Sequence, residues 1–164
     1  MSATLIELKE DDLPFVKEIY DYHTLHTTVV YFLECPTIEA LKTFIPIGDP
    51  LYQSFRITNE EGDTIGFCYY SKFRPREAFK RSVEVTIYLK HGIEGRGYGK
   101  DVLLQLESMI RTRGFANIVA LIGGENEKSI HMFEKAGYTC CANIQLSAEK
   151  FGRKLDLRMY QKLL

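Results

Sequence analysis

Six residues, Gly95-Arg96-Gly97-Tyr98-Gly99-Lys100, lie between a β-type run ending at Lys90 and a helical run starting near Tyr98. A glycine-spaced turn that feeds a helix N-terminus aims several backbone N–H groups at one point, and the helix dipole adds positive potential there. Such a turn is built to hold phosphate. Its glycines let the backbone approach an anion closely and accept positive φ, while Arg96 and Lys100 add cations at the rim. A plain strand-to-helix turn fits the same residues, so the segment alone does not settle the chemistry.

The elements that must position this turn are legible from periodicity. Ala3 to Leu8 reads as a strand. Asp11 or Asp12 is placed to cap a helix in which Leu13, Val16, Ile19 and Tyr20 recur at helical spacing. Thr24 to Phe32, rich in Thr, Val and aromatics, is expected to leave that helix as an irregular loop, and Pro36-Thr37 starts a second short helix through about Phe44. Gln53–Thr58 and Thr64–Phe73 form a hairpin across Asn59–Asp63. From Ser82 to Lys90 the residues alternate: Val83, Val85, Ile87 and Leu89 share one face, Glu84, Thr86 and Tyr88 the other.

The helix from Tyr98 to Arg113 turns Val102, Leu103, Leu106, Met109 and Ile110 toward a core and ends at Gly114. Ile118–Ile122 is continuously apolar, as a central buried strand requires. A helix over Ser129–Ala136, stopped by Gly137, precedes two closing strands near Tyr138–Ala148 and Leu155–Lys162. The series has no linker, repeat or low-complexity tract, which predicts one α/β domain over residues 1–164.

Composition bounds the function. The chain is 45% hydrophobic and 26% charged, with a formal net charge of −1, so nothing draws it generally to nucleic acid or an anionic membrane. The N-terminus has no basic, apolar leader, and a cytoplasmic location is expected. Cys35, Cys68, Cys140 and Cys141 match neither a zinc set nor a CxxC pair and read as reduced thiols. His23 and His26 sit three apart with no third ligand evident, so no metal is expected.

A second segment gives the turn its context: Asn126-Glu127-Lys128-Ser129, followed by Phe133 and ending Ala136-Gly137-Tyr138. Together the two segments resemble the GNAT superfamily of acetyl-CoA-dependent N-acetyltransferases, whose pattern is Gln/Arg-x-x-Gly-x-Gly/Ala, then Asn-x-x-Ser, then Gly-Phe/Tyr. Phe73–Phe79, Val83–Leu89 and Val119–Gly123 are most similar to the phosphinothricin (methionine sulfoximine) acetyltransferase group. The likeness covers nearly the whole chain. It implies a mixed, mostly antiparallel sheet of about six or seven strands flanked by about four helices, and a homodimer.

The resemblance also assigns roles. It implies that acetyl-CoA lies along Ile87, Tyr88 and Leu89, with its pyrophosphate on Gly95, Arg96, Gly97, Tyr98, Gly99 and Lys100 and further contacts from Asn126, Ser129 and Phe133. The Leu89 N–H would stabilise the oxyanion. Glu84 would deprotonate the incoming amine, although a salt-bridged surface carboxylate is the alternative. Arg76 would hold a substrate carboxylate, unless it is one of several solvated charges between Arg74 and Arg81, and Phe32, Phe73 and Phe79 would wall the side chain.

Three positions depart from the pattern. Glu94 stands where Gln or Arg is usual, a carboxylate unfavourable beside a pyrophosphate unless it points away or Arg96 and Lys100 compensate for it. Phe133 replaces a Tyr or His that would protonate the departing thiolate; restoring the donor with Phe133→Tyr is expected to raise turnover modestly. The segment Lys150-Phe151-Gly152-Arg153-Lys154-Leu155-Asp156 lacks the two histidines and the tryptophan of the group's Lys-His-Gly-x-Trp-His-Asp, near the substrate mouth. The implied reaction is N-acetylation of a small molecule, an amino acid or analogue, by direct transfer in a ternary complex. Polyamine or peptide acetylation, or a non-catalytic acyl-CoA-binding module, stand as alternatives.

Overall fold

A computed structural model describes all residues, 1–164. In chain order the elements are β1 (Thr4–Glu7), α1 (Leu13–His26), α2 (Ile38–Lys42), β2 (Gln53–Thr58), β3 (Thr64–Lys72), β4 (Ser82–Leu89), α3 (Tyr98–Thr112), β5 (Asn117–Gly123), α4 (Glu127–Lys135), β6 (Thr139–Lys150) and β7 (Arg153–Leu163). Single 3₁₀ turns precede α1 and β4. The strands form one seven-stranded sheet in the order β1-β2-β3-β4-β5-β7-β6. Only β4 and β5 run parallel; every other neighbouring pair is antiparallel. No helix is long and apolar enough to cross a membrane.

Strand alternation sends side chains to opposite faces, and each face carries its own core. On one, Tyr70, Val83 and Val85 pack with Val102, Leu103, Leu106 and Ile110 of α3 and Ile130 of α4. On the other, Phe67 and Tyr69 pack with Leu13, Val16, Ile19 and Tyr20 of α1 and with Leu41 of α2. Ile87 and Leu89 lie on the α3 face, and Tyr88 on the α1 face.

The structure shifts several expected boundaries. α1 runs through His26 because Thr24 is buried against the core, and packing overrides its low helix propensity. The chain turns extended only at Thr27. Asp12 does not cap α1 through its side chain; its carboxylate accepts the Lys9 N–H of the preceding turn instead. α2 ends at Lys42, with Phe44 in the following turn. α4 begins at Glu127, since the Asn126 side chain caps it by accepting the Ser129 N–H. The β6–β7 hairpin is longer than expected, with register irregularities at Cys140/Ala142 and Ile144/Ala148.

Gly66 fixes how closely β3 meets β4. It pairs with Leu89, and a Cβ there would lie 2.4 Å from the Tyr88 carbonyl oxygen and 2.9 Å from Leu89 Cδ2. Because the first of these is backbone, it has nowhere to go. Gly66→Ala is therefore expected to cost about 1–3 kcal/mol of stability by forcing the strands apart. Thermal unfolding checks it, and an unchanged melting temperature would show that β4 yields freely.

Candidate active site

β4 organises the site because its two edges have different fates. Against β3 it pairs along its length, from Lys72↔Val83 to Gly66↔Leu89. Against β5 it pairs only over Ser82–Glu84 with Asn117–Val119, while β5 goes on beside β7 as far as Gly123. Beyond Glu84 the two strands part, and one edge of Val85–Leu89 has no strand beside it. The Lys90 N–H bonds to the Ile65 carbonyl across β3. N–H directions alternate along an antiparallel strand, so the Ile87 and Leu89 amides face the open cleft.

The cleft leads to the turn before α3. Gly97 is the N-cap, at φ 92°, and Gly95 is at φ 83°. A Cβ at Gly97 would meet nothing within 4 Å, so this glycine is set by backbone conformation and not by crowding. The first amides of α3 have no intrahelical acceptor and point out of the helix end. The Glu94 carboxylate is engaged within the turn: its Oε2 accepts the Gly92 N–H at 2.8 Å, and Oε1 lies 3.9 Å from His91 Nδ1. Arg96 donates to the Gly92 carbonyl at 3.3 Å, and Lys100 is exposed. Gly99 lies against Met132 of α4, where a Cβ would be 2.8 Å from the sulfur.

Two side chains among the expected coenzyme contacts are engaged within the fold itself. The Tyr98 side chain is buried, and its hydroxyl donates to Glu60 in the β2–β3 turn at 2.7 Å, which leaves only its backbone for the anion turn. Phe133 is 4% exposed and packs edge-on against Tyr138 at 4.9 Å, within the core. Its apolar contacts hold it there, and Phe133→Tyr would bury a hydroxyl where the expectation had been a regained acid. Asn126 and Ser129 are joined by the α4 cap, so the Asn126 oxygen already has a donor.

On the α1 face, a cavity of about 420 Å³ lies over β4. Tyr20, Phe32, Phe44, Tyr69, Thr86 and Tyr88 line it, and Glu84 is its one carboxylate. Burial raises the Glu84 pKa above the ordinary carboxylate range, and the Arg74 charge partly opposes that shift. Phe32 meets Tyr20 edge-on at 5.6 Å. Phe73 and Phe79 face each other at 5.9 Å in the exposed β3–β4 loop and do not line the cavity. Arg76 is exposed there as well, whereas Arg74 lies over the Phe73 ring at 4.4 Å and is the cation that Glu84 feels.

The segment after α1 closes the cavity and is pinned by the β6–β7 hairpin and the residues beside it. Lys150, 3% exposed, donates to the Val30 carbonyl at 2.8 Å and the His23 carbonyl at 3.3 Å. Burial lowers its pKa. The Tyr31 hydroxyl donates to the Asp156 carbonyl, and Thr28 donates to Glu125, which pairs with Arg153. So the Lys150–Asp156 segment does reach the cavity, through the strap it holds. Sequence reasoning missed Tyr20, Tyr69 and Thr86; the alternation that put Thr86 and Tyr88 on the Glu84 face was the available signal.

The chain is 29% identical to an L-methionine sulfoximine/L-methionine sulfone acetyltransferase of Pseudomonas aeruginosa over 163 residues, 98% of this chain and 94% of that one. It is 24% identical to the L-amino acid N-acyltransferase MnaT of Escherichia coli, over 93% of this chain and 89% of that one. A phosphinothricin acetyltransferase from Sinorhizobium meliloti, solved in complex with AcCoA, superposes with a TM-score of 0.89 at 30% identity, covering 100% of this chain and 89% of the other. Residues 5–159 match the acetyltransferase (GNAT) domain family, and the chain belongs to it.

Proposed function

We propose that this protein transfers acetyl from acetyl-CoA directly to the amine of an amino acid or amino-acid analogue, in a ternary complex and as a cytoplasmic homodimer. The observation that carries the reading is that one strand, β4, borders both halves of the reaction. Its free edge offers the Ile87 and Leu89 amides to a pantetheine arm, and its other face presents Glu84 to an acceptor cavity. The amides of Gly95–Lys100 hold the pyrophosphate. The Leu89 N–H stabilises the oxyanion as the amine attacks the thioester carbonyl. Glu84 takes the amine proton. The thiolate, whose conjugate acid has a pKa of about 8.5, leaves without an acid from Phe133.

The names of the relatives support an amino-acid acceptor, as does the Arg74 cation, whose charge reaches Glu84. Exposed free thiols at Cys140 and Cys141 suit a reducing compartment. Ile144 and Leu146, exposed on the edge strand β6, suit burial in a dimer. Thiol release across amino acids, spermidine and peptides tests the acceptor, and faster turnover of spermidine than of every amino acid would reassign it. Arg74→Ala and Arg76→Ala are each expected to raise KM for the amino acid roughly tenfold or more, the loss of a charge-assisted hydrogen bond. Arg74→Ala should also move the acidic limb of the pH profile upward, since it removes the charge that opposes the Glu84 shift.

A further inference from the structure

Lys150, at the end of β6, is 3% exposed and is the one buried lysine of the chain. Its ammonium donates to the Val30 carbonyl at 2.8 Å and the His23 carbonyl at 3.3 Å, and the Phe151 ring lies 5.0 Å away. No carboxylate pairs with it. Burying an ammonium costs more than burying an apolar side chain of the same length, so packing alone does not account for a lysine here. The two acceptors are not equivalent. The His23 carbonyl, in the last turn of α1, also receives the Thr27 amide at 3.1 Å and the Thr27 hydroxyl at 3.0 Å. The Val30 carbonyl has Lys150 as its donor, and Val30 itself is 3% exposed. Without that donor a buried carbonyl is left unpaired, and the simplest repair is to turn toward water.

Val30 lies in the strap, and Val29, Val30, Tyr31 and Phe32 form one wall of the cavity over β4. The strap also rests directly on the end of β5: a Cβ at Gly123 would lie 3.1 Å from both the Thr28 carbonyl oxygen and the Tyr31 hydroxyl oxygen. One ammonium therefore ties the end of α1, the strap and β6 together, and the shape of that wall depends on it. We infer that Lys150 is a positioning residue for the acceptor, holding the strap seated while touching neither substrate. The inference rests on the reading of this cavity as the acceptor site. With the ammonium gone, only the molecules whose strap is seated bind acceptor, and apparent affinity falls by that fraction. The reacting groups stay in place, because Glu84 and the Leu89 amide belong to β4, which pairs along its length with β3.

The test measures kcat and KM for L-methionine sulfone, and acetyl-CoA affinity by calorimetry, in the wild type and Lys150→Met. Methionine keeps the apolar stem and removes the donors. KM for the sulfone should rise at least about tenfold, the loss expected of a hydrogen bond from a charged donor, with kcat and acetyl-CoA affinity unchanged. Hydrogen exchange should quicken in the Thr27–Phe32 segment but not in β4, and saturating sulfone should slow it again. Lys150→Gln, shorter and uncharged, should move KM in the same direction and serves if Lys150→Met fails to fold. A merely bracing role would lower the melting temperature and reduce kcat through loss of active protein, with KM unchanged; that result overturns the inference. A wild type that acetylates no amino acid would instead remove the acceptor reading, and the inference with it.

Discussion

Gly97→Glu is expected to abolish coenzyme binding while the fold survives. Gly97 sits at φ 92°, where a side chain costs roughly 1–3 kcal/mol, a strain the rest of the domain can bear. The space beside it is open, so the new side chain meets no packed neighbour. What it does meet is the ligand: a carboxylate enters the point where the first α3 amides and the helix dipole favour an anion. Losing two charge-assisted hydrogen bonds to phosphate would weaken binding by at least about 100-fold. Calorimetry with CoA on a variant of native circular dichroism checks this, and wild-type affinity there would move the pyrophosphate away from Gly95–Lys100.

Glu84→Gln should lower kcat by at least ~10²-fold with acetyl-CoA affinity nearly unchanged. Glu84 lines the acceptor cavity on the opposite face of β4 from Ile87 and Leu89, so the glutamine keeps the shape and removes only the base. Since burial raises the Glu84 pKa, the wild-type rate should begin to fall with acidity above the ordinary carboxylate range, and the variant should lose that limb. Stability follows with the opposite sign. A carboxyl whose folded pKa is raised holds its proton more tightly when folded, so the wild type loses stability as pH climbs through that raised value. The glutamine variant has nothing to lose there and should be the more stable protein above it, with the difference vanishing in acid. Near-normal turnover in the variant would return Glu84 to an ordinary strand carboxylate.

Much of this was legible because local signals agreed with the fold. Alternation from Ser82 to Lys90 assigned Glu84, Thr86 and Tyr88 to one face, and that is the cavity face. The glycine-spaced turn was read at the N-terminus of a helix, and α3 begins at Tyr98. The Asn59–Asp63 turn closes as expected, with the Asn59 side chain accepting the Glu61 and Asp63 amides.

What the sequence could not supply were contacts between distant segments. Tyr98 lies inside the turn motif, yet its partner Glu60 is 38 positions away, and only the tertiary fold turns its ring inward. Phe133 was placed by likeness to a catalytic position, whereas burial against Tyr138 makes it core. Arg74 and Arg76 are equivalent in a charge run, and the path of the β3–β4 loop decides which of them influences Glu84. Lys150 reads as one more surface lysine until the strap it holds is seen, since a buried ammonium is recognised only by its carbonyl partners.

The most direct measurement is mass spectrometry of both protein and small molecules after mixing the enzyme with acetyl-CoA, with and without L-methionine sulfone. Direct transfer yields N-acetyl-methionine sulfone in step with free CoA, and the protein mass stays unchanged in both mixtures. A protein that binds acetyl-CoA but forms no acetylated product with any amine, or that itself becomes acetylated before the amine is added, would contradict the account.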